Sequence, residues 1–173
     1  TKLIHVRSTK RNTEETFALD PKCVQLQVKA ADWQDAIRNT CKPLLDNGYV
    51  LPGYPADVIE REMQWATGLP TMPFGVAIPH ALKPDNVVSA KVAASLLAEP
   101  VSFKQSGGTE EDNPVEAKIV FVLALKDSSS QLSLLQNLMV AISDEDMLTA
   151  LAAATTPEEF CNIFNGCSTV AAK

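Results

Sequence analysis

Thr67-Gly68-Leu69-Pro70-Thr71-Met72-Pro73-Phe74-Gly75-Val76-Ala77-Ile78-Pro79-His80 is the stretch around which the chain is organised. It leaves a helix-like segment, threads a loop rich in glycine and proline, and ends in a short apolar run with one of the chain's two histidines at its tip. Val76-Ala77-Ile78 suits a strand, while Pro79 has no N–H and holds Ile78 extended, so the strand stops there. His80 is thereby delivered at a strand end. Imidazole titrates near neutrality, and at pH 7 its neutral form can serve as a nitrogen nucleophile or general base. The plainer alternative is a histidine that packs or caps a loop.

Upstream, Pro55 suits a first helical position, and Val58, Ile59, Met63 and Ala66 mark an amphipathic helix running through Trp65. Arg61 and Glu62 lie between those apolar positions. A single arginine is most simply a solvated charge. This one stands near the end of a helix that feeds the His80 loop, and a guanidinium fork matches the oxygens of a phosphoryl group. Glu62 reads as a structural partner that orients its neighbours rather than as a catalytic acid. Thr67 has two readings: a hydroxyl that donates to a phosphoryl oxygen, or an ordinary helix ending before glycine. Gly68 and Gly75 read as backbone permits for the turn.

Elsewhere the periodicities alternate between two and 3.6. Val24-Gln25-Leu26-Gln27-Val28 alternates as a half-buried strand does. Asp32 offers a helix N-cap with Asp35 three residues on, and Trp33, Ala36, Ile37, Cys41, Leu44 and Leu45 share one face up to Gly48, with Pro43 kinking or shortening the last turn. After a turn at Lys83-Pro84-Asp85-Asn86, whose lysine reads as solvated, Val87–Leu97 alternates as a long strand, and Val101-Ser102-Phe103 forms a shorter one. Residues 105–114 form a solvated acidic loop without calcium-site spacing. Ile119–Leu125 is apolar throughout, the pattern of a central strand buried on both faces. A helix then opens at Gln131 with Leu132, Leu135, Leu138, Met139 and Ile142 as its buried stripe. Ser143 with Asp146, and Thr156 with Glu159, resemble capping boxes for two closing helices, the second ending near Gly166. Interleaved strands and helices make the class α/β.

A chain of 173 residues, 46% of them hydrophobic, is long enough for one well-buried domain and short for two. The expected layout is a polar leader over residues 1–22, which contains His5, a domain over 23–167 and a tail over 168–173. No apolar run approaches the roughly 20 residues of a membrane helix, and the basic N-terminal stretch lacks the apolar core of a signal peptide. The formal charge of −6 is uneven, with five basic and three acidic side chains in residues 1–22. An acidic remainder would repel a nucleic-acid backbone. Cys23, Cys41, Cys161 and Cys167 form no CxxC pair, which argues against a zinc site and for free thiols in a reducing compartment.

The string Arg61-Glu62, Thr67-Gly68 and Gly75-Val76-Ala77-Ile78-Pro79-His80 resembles the RE, TG and G-hydrophobic-A-hydrophobic-PH pattern of the fructose/mannitol-type IIA domains of the bacterial phosphoenolpyruvate-dependent sugar phosphotransferase system. The resemblance spans roughly residues 24–165. It implies a single α/β domain with a mixed central sheet flanked by helices, acting in the cytoplasm without metal or organic cofactor. His80 would accept a phosphoryl group at Nε2 from the phosphohistidine carrier protein and pass it to a cysteine of a IIB component, which serves a membrane IIC component. Arg61 would stabilise the phosphoryl group, with help from Thr67 and Gln131. Gln131 stands where the mannitol and nitrogen-regulatory branches carry a second histidine, a departure that resembles the galactitol-type branch. Its plainer reading is a polar residue at a helix start. Two other functions fit the same residues: a regulatory phosphoprotein whose partner binding is switched at His80, and a binding module without phosphotransfer.

Overall fold

A run such as Ile119–Leu125 can be hidden only if a layer covers each side of it, and the fold meets that requirement. The computed structural model describes residues 19–109, 111–126 and 128–171, apart from the side chains of 128–131, 133–134 and 166–171. Its strands are β1 (Val24–Val28), β2 (Gly68–Leu69), β3 (Gly75–Ala77), β4 (Lys91–Phe103) and β5 (Val115–Ala124). Its helices are α1 (Trp33–Asp46), α2 (Tyr54–Gln64), α3 (Ser128–Ile142), α4 (Glu145–Ala152) and α5 (Pro157–Ala171). The strands form one sheet in the order β1-β4-β5-β3-β2, so the apolar run is central. β1 pairs parallel with β4, and β3 parallel with β5, while the β4–β5 and β2–β3 pairs are antiparallel.

Alternation along β5 divides the core in two. Val120, Val122 and Ala124 face α1 and α2, where Ile37, Leu44, Tyr54 and Val58 cover them. Ile119, Phe121 and Leu123 face the opposite layer, built from α3, α4 and α5 with Leu138, Ile142, Leu148 and Phe160. The mixed sheet between helices is the expected α/β architecture. Because β3 and β5 run parallel, their carboxyl ends lie together, and that end carries His80.

Local chemistry explains most boundaries. Asp32 caps α1, its side chain accepting from the Asp35 amide at 2.9 Å. Pro43 lies inside α1 and lacks the N–H that would bond the Asn39 carbonyl. Gln25 supplies the missing donor from β1, its Nε2 reaching Asn39 O at 2.7 Å, and the helix runs on to Asp46. The long strand expected from Val87 begins instead at Lys91: Val87 is buried in an isolated bridge to Val50, and Val88 is exposed. The two strands expected around Pro100 are one, because the β4–β5 register breaks between Leu96 and Val101 and accommodates a residue with no N–H.

The helical stripes also differ from expectation. In α2 the buried residues are Tyr54, Val58 and Glu62, spaced one turn apart, whereas Met63 and Trp65 face outward. The third helix begins at Ser128, before Gln131, and buries Leu138, Ala141 and Ile142, while Leu132 and Met139 are exposed. Asp144, not Ser143, caps α4, accepting from the Asp146 and Met147 amides. Ser143 instead donates to the Met139 carbonyl. Thr156 does cap α5, which continues past Gly166 to Ala171 and so takes in most of the expected tail.

The expected leader also changes at its end. Leu19 is buried and exchanges two hydrogen bonds with the Asn165 side chain, and Asp20 caps a short 3-10 turn at Pro21–Cys23. Residues 19–22 therefore pack with the domain. His5 and the rest of the leader lie outside the described residues.

Candidate active site

β2 and β3 are short and lie pressed against the strands beside them. A Cβ on Gly75 would overlap Val115 and the Glu116 carbonyl, and one on Gly68 would lie 2.5 Å from the Lys104 carbonyl. These glycines permit close approach of backbones within the sheet rather than a turn. Pro79 ends the ladder, yet the chain stays attached to β5: the Leu123 amide donates to Pro79 O at 3.1 Å, and His80 pairs with Leu123 in an isolated parallel bridge.

His80 is buried, with 7% of its surface exposed. Its Nδ1 lies 3.0 Å from the Ile78 carbonyl oxygen. A carbonyl only accepts, so Nδ1 carries the proton and Nε2 keeps its lone pair. Burial lowers the imidazole pKa below 6.5, the Ile78 bond opposes that shift, and the positive charge of Arg61 lowers it further. The neutral nucleophilic form is thus favoured at neutral pH.

Arg61 is half-buried on the last turn of α2. Its Nη1 donates to the Trp65 carbonyl at 3.2 Å and its guanidinium lies over the Trp65 ring, 5.7 Å from the centroid. One tip of the fork is held by this bond, and the guanidinium charge is felt at His80. Glu62, one residue on, is buried and faces the loop. It accepts from the Thr67 amide and from the Thr67 hydroxyl, each at 2.8 Å. Burial pushes its carboxyl above the ordinary value, while the two Thr67 bonds and the Arg61 charge favour the ionised form.

Thr67 is therefore not a free donor for a phosphoryl oxygen. Its only hydroxyl proton goes to Glu62, and its oxygen accepts from the Ile78 amide at 3.2 Å. The structure assigns Thr67 to loop support, with its role as a helix ending set aside as well, since α2 stops at Gln64. Gln131 lies near the start of α3, and its side chain is outside the described set.

A cavity of about 250 Å³ opens beside His80, lined by Tyr54, Lys83, Leu123, Leu125 and Lys126 among others. Lys126 is fixed there by donating from Nζ to the Val87 carbonyl at 3.2 Å. Tyr54 is fully buried and donates to Leu123 O at 2.7 Å, and burial raises its phenol pKa well above 10. Neither Tyr54 nor Lys126 stands out in the sequence. Tyr54 precedes the proline that marks the helix start, although it lies one turn before Val58. Lys126 simply ends an apolar run, and its nearness to His80 follows only from the parallel pairing of β3 with β5.

The cysteines do not offer a competing nucleophile among the described residues. Cys23, Cys41 and Cys161 are free and buried. Burial pushes the Cys41 and Cys161 thiols up to about 12, far from the thiolate form. Among the described residues no cluster of metal-ligating side chains converges, and no helix is long and apolar enough to cross a membrane.

Comparison with known proteins agrees with this geometry. Residues 17–167 match the family model for the phosphoenolpyruvate-dependent sugar phosphotransferase system, EIIA 2. The mannitol-specific phosphotransferase enzyme IIA component of Bacillus subtilis is 28% identical over 143 residues, covering 82% of this chain and 92% of that protein. The galactitol-specific EIIA component of Escherichia coli K12 is 26% identical over 135 residues, covering 78% and 86%. Longer relatives carry the same region as a part: the chain spans 27% of a multiphosphoryl transfer protein from Haemophilus influenzae, at 32% identity. Among solved structures, enzyme IIAMTL in its complex with phosphorylated enzyme IIBMTL from Escherichia coli superposes with a TM-score of 0.70 at 27% identity, covering 87% of this chain and 99% of that one. With its mixed sheet, its histidine at the end of β3 and a match over nearly the whole described region, the chain belongs to the EIIA 2 family of the phosphoenolpyruvate-dependent sugar phosphotransferase system, a family of phosphotransferase components that carry phosphoryl groups on histidine.

Proposed function

We propose that His80 is the phosphoryl-carrying residue and that its Nε2 is the atom that reacts. The observation that carries this reading is the Nδ1 bond to the Ile78 carbonyl, which leaves Nε2 unprotonated in the neutral ring. In the first transfer, the Nε2 lone pair attacks the phosphorus of a phosphohistidine on the carrier protein. The new N–P bond forms as the old one breaks, and the bonding electrons return to the carrier's imidazole. Arg61 stabilises negative charge on the equatorial oxygens during that in-line displacement. In the second transfer, a cysteine thiolate of a IIB component attacks phosphorus, and the N–P electrons return to Nε2.

The partners in this reading are the phosphohistidine carrier protein as donor and a IIB component as acceptor, with a membrane IIC component served indirectly and the reaction taking place in the cytoplasm. The substrate we propose is a galactitol-like polyol, because Gln131 occupies the position at which other branches place a second histidine. A glutamine amide can donate to a phosphoryl oxygen but adds no charge, so Arg61 would have to supply what a second imidazolium provides elsewhere.

The test is incubation with phosphoenolpyruvate and the general phosphotransferase proteins, read by intact mass for wild type and His80→Ala. An acid-labile phosphate gained by the wild type alone supports the reading. Phosphate on neither protein, or on both, overturns it. Transfer from the phosphorylated protein to a panel of purified IIB components then tests the substrate: fastest transfer to a mannitol-type IIB would overturn the galactitol-like assignment.

A further inference from the structure

Glu62 is a carboxylate with 5% of its surface exposed, and among the described residues it makes no ion pair. Carboxylates are almost never buried so deeply unless their lone pairs are occupied. Here both oxygens are occupied by one residue, Thr67, through its amide and its hydroxyl. The amide bond ties the chain after α2 to the helix. The second fixes a direction: an ionised carboxylate can only accept, so the Thr67 hydroxyl must point its proton at Glu62. Its lone pairs are then turned toward the Ile78 amide, which donates to Thr67 Oγ1 at 3.2 Å and also lies 3.4 Å from the Thr67 carbonyl.

Ile78 is consequently held on both sides. Thr67 grips its N–H, and Pro79 restricts its backbone to extended conformations. The two constraints narrow the directions open to the Ile78 carbonyl, which meets His80 Nδ1 at 3.0 Å. Hydrogen bonds on either side of the Ile78 backbone thus link the Glu62 carboxylate to the His80 ring.

We propose that Glu62 is a positioning residue for His80, acting through the Thr67 hydroxyl and the Ile78 peptide to hold the ring in the tautomer that leaves Nε2 unprotonated. The proposal rests on the reading of His80 as the phosphoryl carrier and explains why an acidic residue is buried beside it. Without the Thr67 hydroxyl, the Ile78 amide keeps only its longer 3.4 Å contact with the Thr67 carbonyl, the Ile78 backbone loosens within its extended range, and the ring is released toward the Nε2–H tautomer, which cannot attack phosphorus through that atom. Glu62 touches neither the ring nor the phosphoryl group. Its effect is carried entirely by polarity and geometry.

Two variants separate this role from simple support of the fold. Glu62→Gln is nearly isosteric but places a donor where the hydroxyl proton needs an acceptor, and Thr67→Val removes the hydroxyl at nearly constant shape. Two-bond proton–nitrogen correlations report which ring nitrogen of His80 carries the proton, and single-turnover phosphorylation reports the rate. The expected wild-type spectrum is that of the Nδ1–H tautomer. Both variants, folded by circular dichroism, shift His80 toward Nε2–H and slow phosphorylation about tenfold, as loss of one well-placed hydrogen bond would. Thr67→Ser, which restores the hydroxyl, recovers the Nδ1–H signals. A wild-type tautomer in a folded Glu62→Gln protein overturns the proposal, whether or not Thr67→Val folds. Failure of wild-type protein to accept phosphate would instead overturn the carrier reading, because the tautomer measurement needs no phosphoryl donor.

Discussion

The Tyr54 hydroxyl donates to the Leu123 carbonyl at 2.7 Å, on the residue of β5 that pairs with His80. The first residue of α2 is thereby tied to the strand that carries the histidine's neighbour. Tyr54→Phe removes this buried bond without changing the packing of the ring. The expected loss is about 1–2 kcal/mol of stability, measured by denaturant unfolding, with an unchanged denaturant slope. His80 should also become more mobile, seen as broadening of its ring resonances.

The lowered pKa of His80 has a definite consequence for pH dependence. Between its folded value and 6.5, the unfolded chain binds a proton that the folded protein does not. This contribution to stability is present above pH 6.5 and is lost as pH falls through the folded value. Phosphorylation should follow the neutral ring, so the rate should rise with pH around a midpoint below 6.5. A ring-proton titration by NMR together with single-turnover rates checks both. A midpoint above 6.5 would contradict the burial argument.

Arg61→Gln should separate two effects that usually run together. Removing the guanidinium removes a charge that lowers the His80 pKa, so that pKa should rise. In the proposed reading the phosphoryl group simultaneously loses the Arg61 guanidinium, so transfer should slow by about 10²–10³-fold even at a pH where the ring is fully neutral. Titration and quenched-flow kinetics on the same variant give both signs.

Gly75→Ala places a methyl group against Val115 and the Glu116 carbonyl, where backbone must move to admit it. Overpacking of this kind costs about 1–3 kcal/mol. A lowered unfolding midpoint is the expected outcome, accompanied by weakened amide protection at Leu123, whose N–H depends on β3 continuing correctly into Pro79.

Gln25→Ala should leave the Asn39 carbonyl without its donor from β1. The loss expected is about 1–2 kcal/mol, centred on the end of α1, and hydrogen exchange in that helix should report it before global unfolding does. Replacing Pro43 by alanine in the same background should restore part of the loss, since the new amide can donate to Asn39.

The features legible in the sequence were those set by strong local chemistry. Pro79 fixes the strand end that presents His80, and an uninterrupted apolar run can only be a covered strand. The Asp32 cap and the Thr156 cap follow from side chains that reach their own helix. Thr67 was ambiguous for the opposite reason: its hydroxyl looks free until the chain returns Ile78 to its side. Glu62 and Met63 illustrate the same limit in α2. Hydrophobicity favours Met63 for the inside, but two donors from Thr67 make burial of Glu62 acceptable and leave Met63 exposed. Tyr54 and Lys126 join the site only through pairing between segments distant in sequence.

The direct contacts of the His80 ring and of the backbone beside it are with main-chain atoms: the Ile78 carbonyl, the Pro79 carbonyl and the Leu123 amide. Main-chain groups do not change when side chains do. An exposed residue beside the histidine such as Leu82 can therefore be exchanged to suit a different protein partner without touching those contacts. A surface that can vary around a ring held by backbone lets recognition change with less effect on reactivity, provided that Glu62, Thr67 and Arg61 are kept.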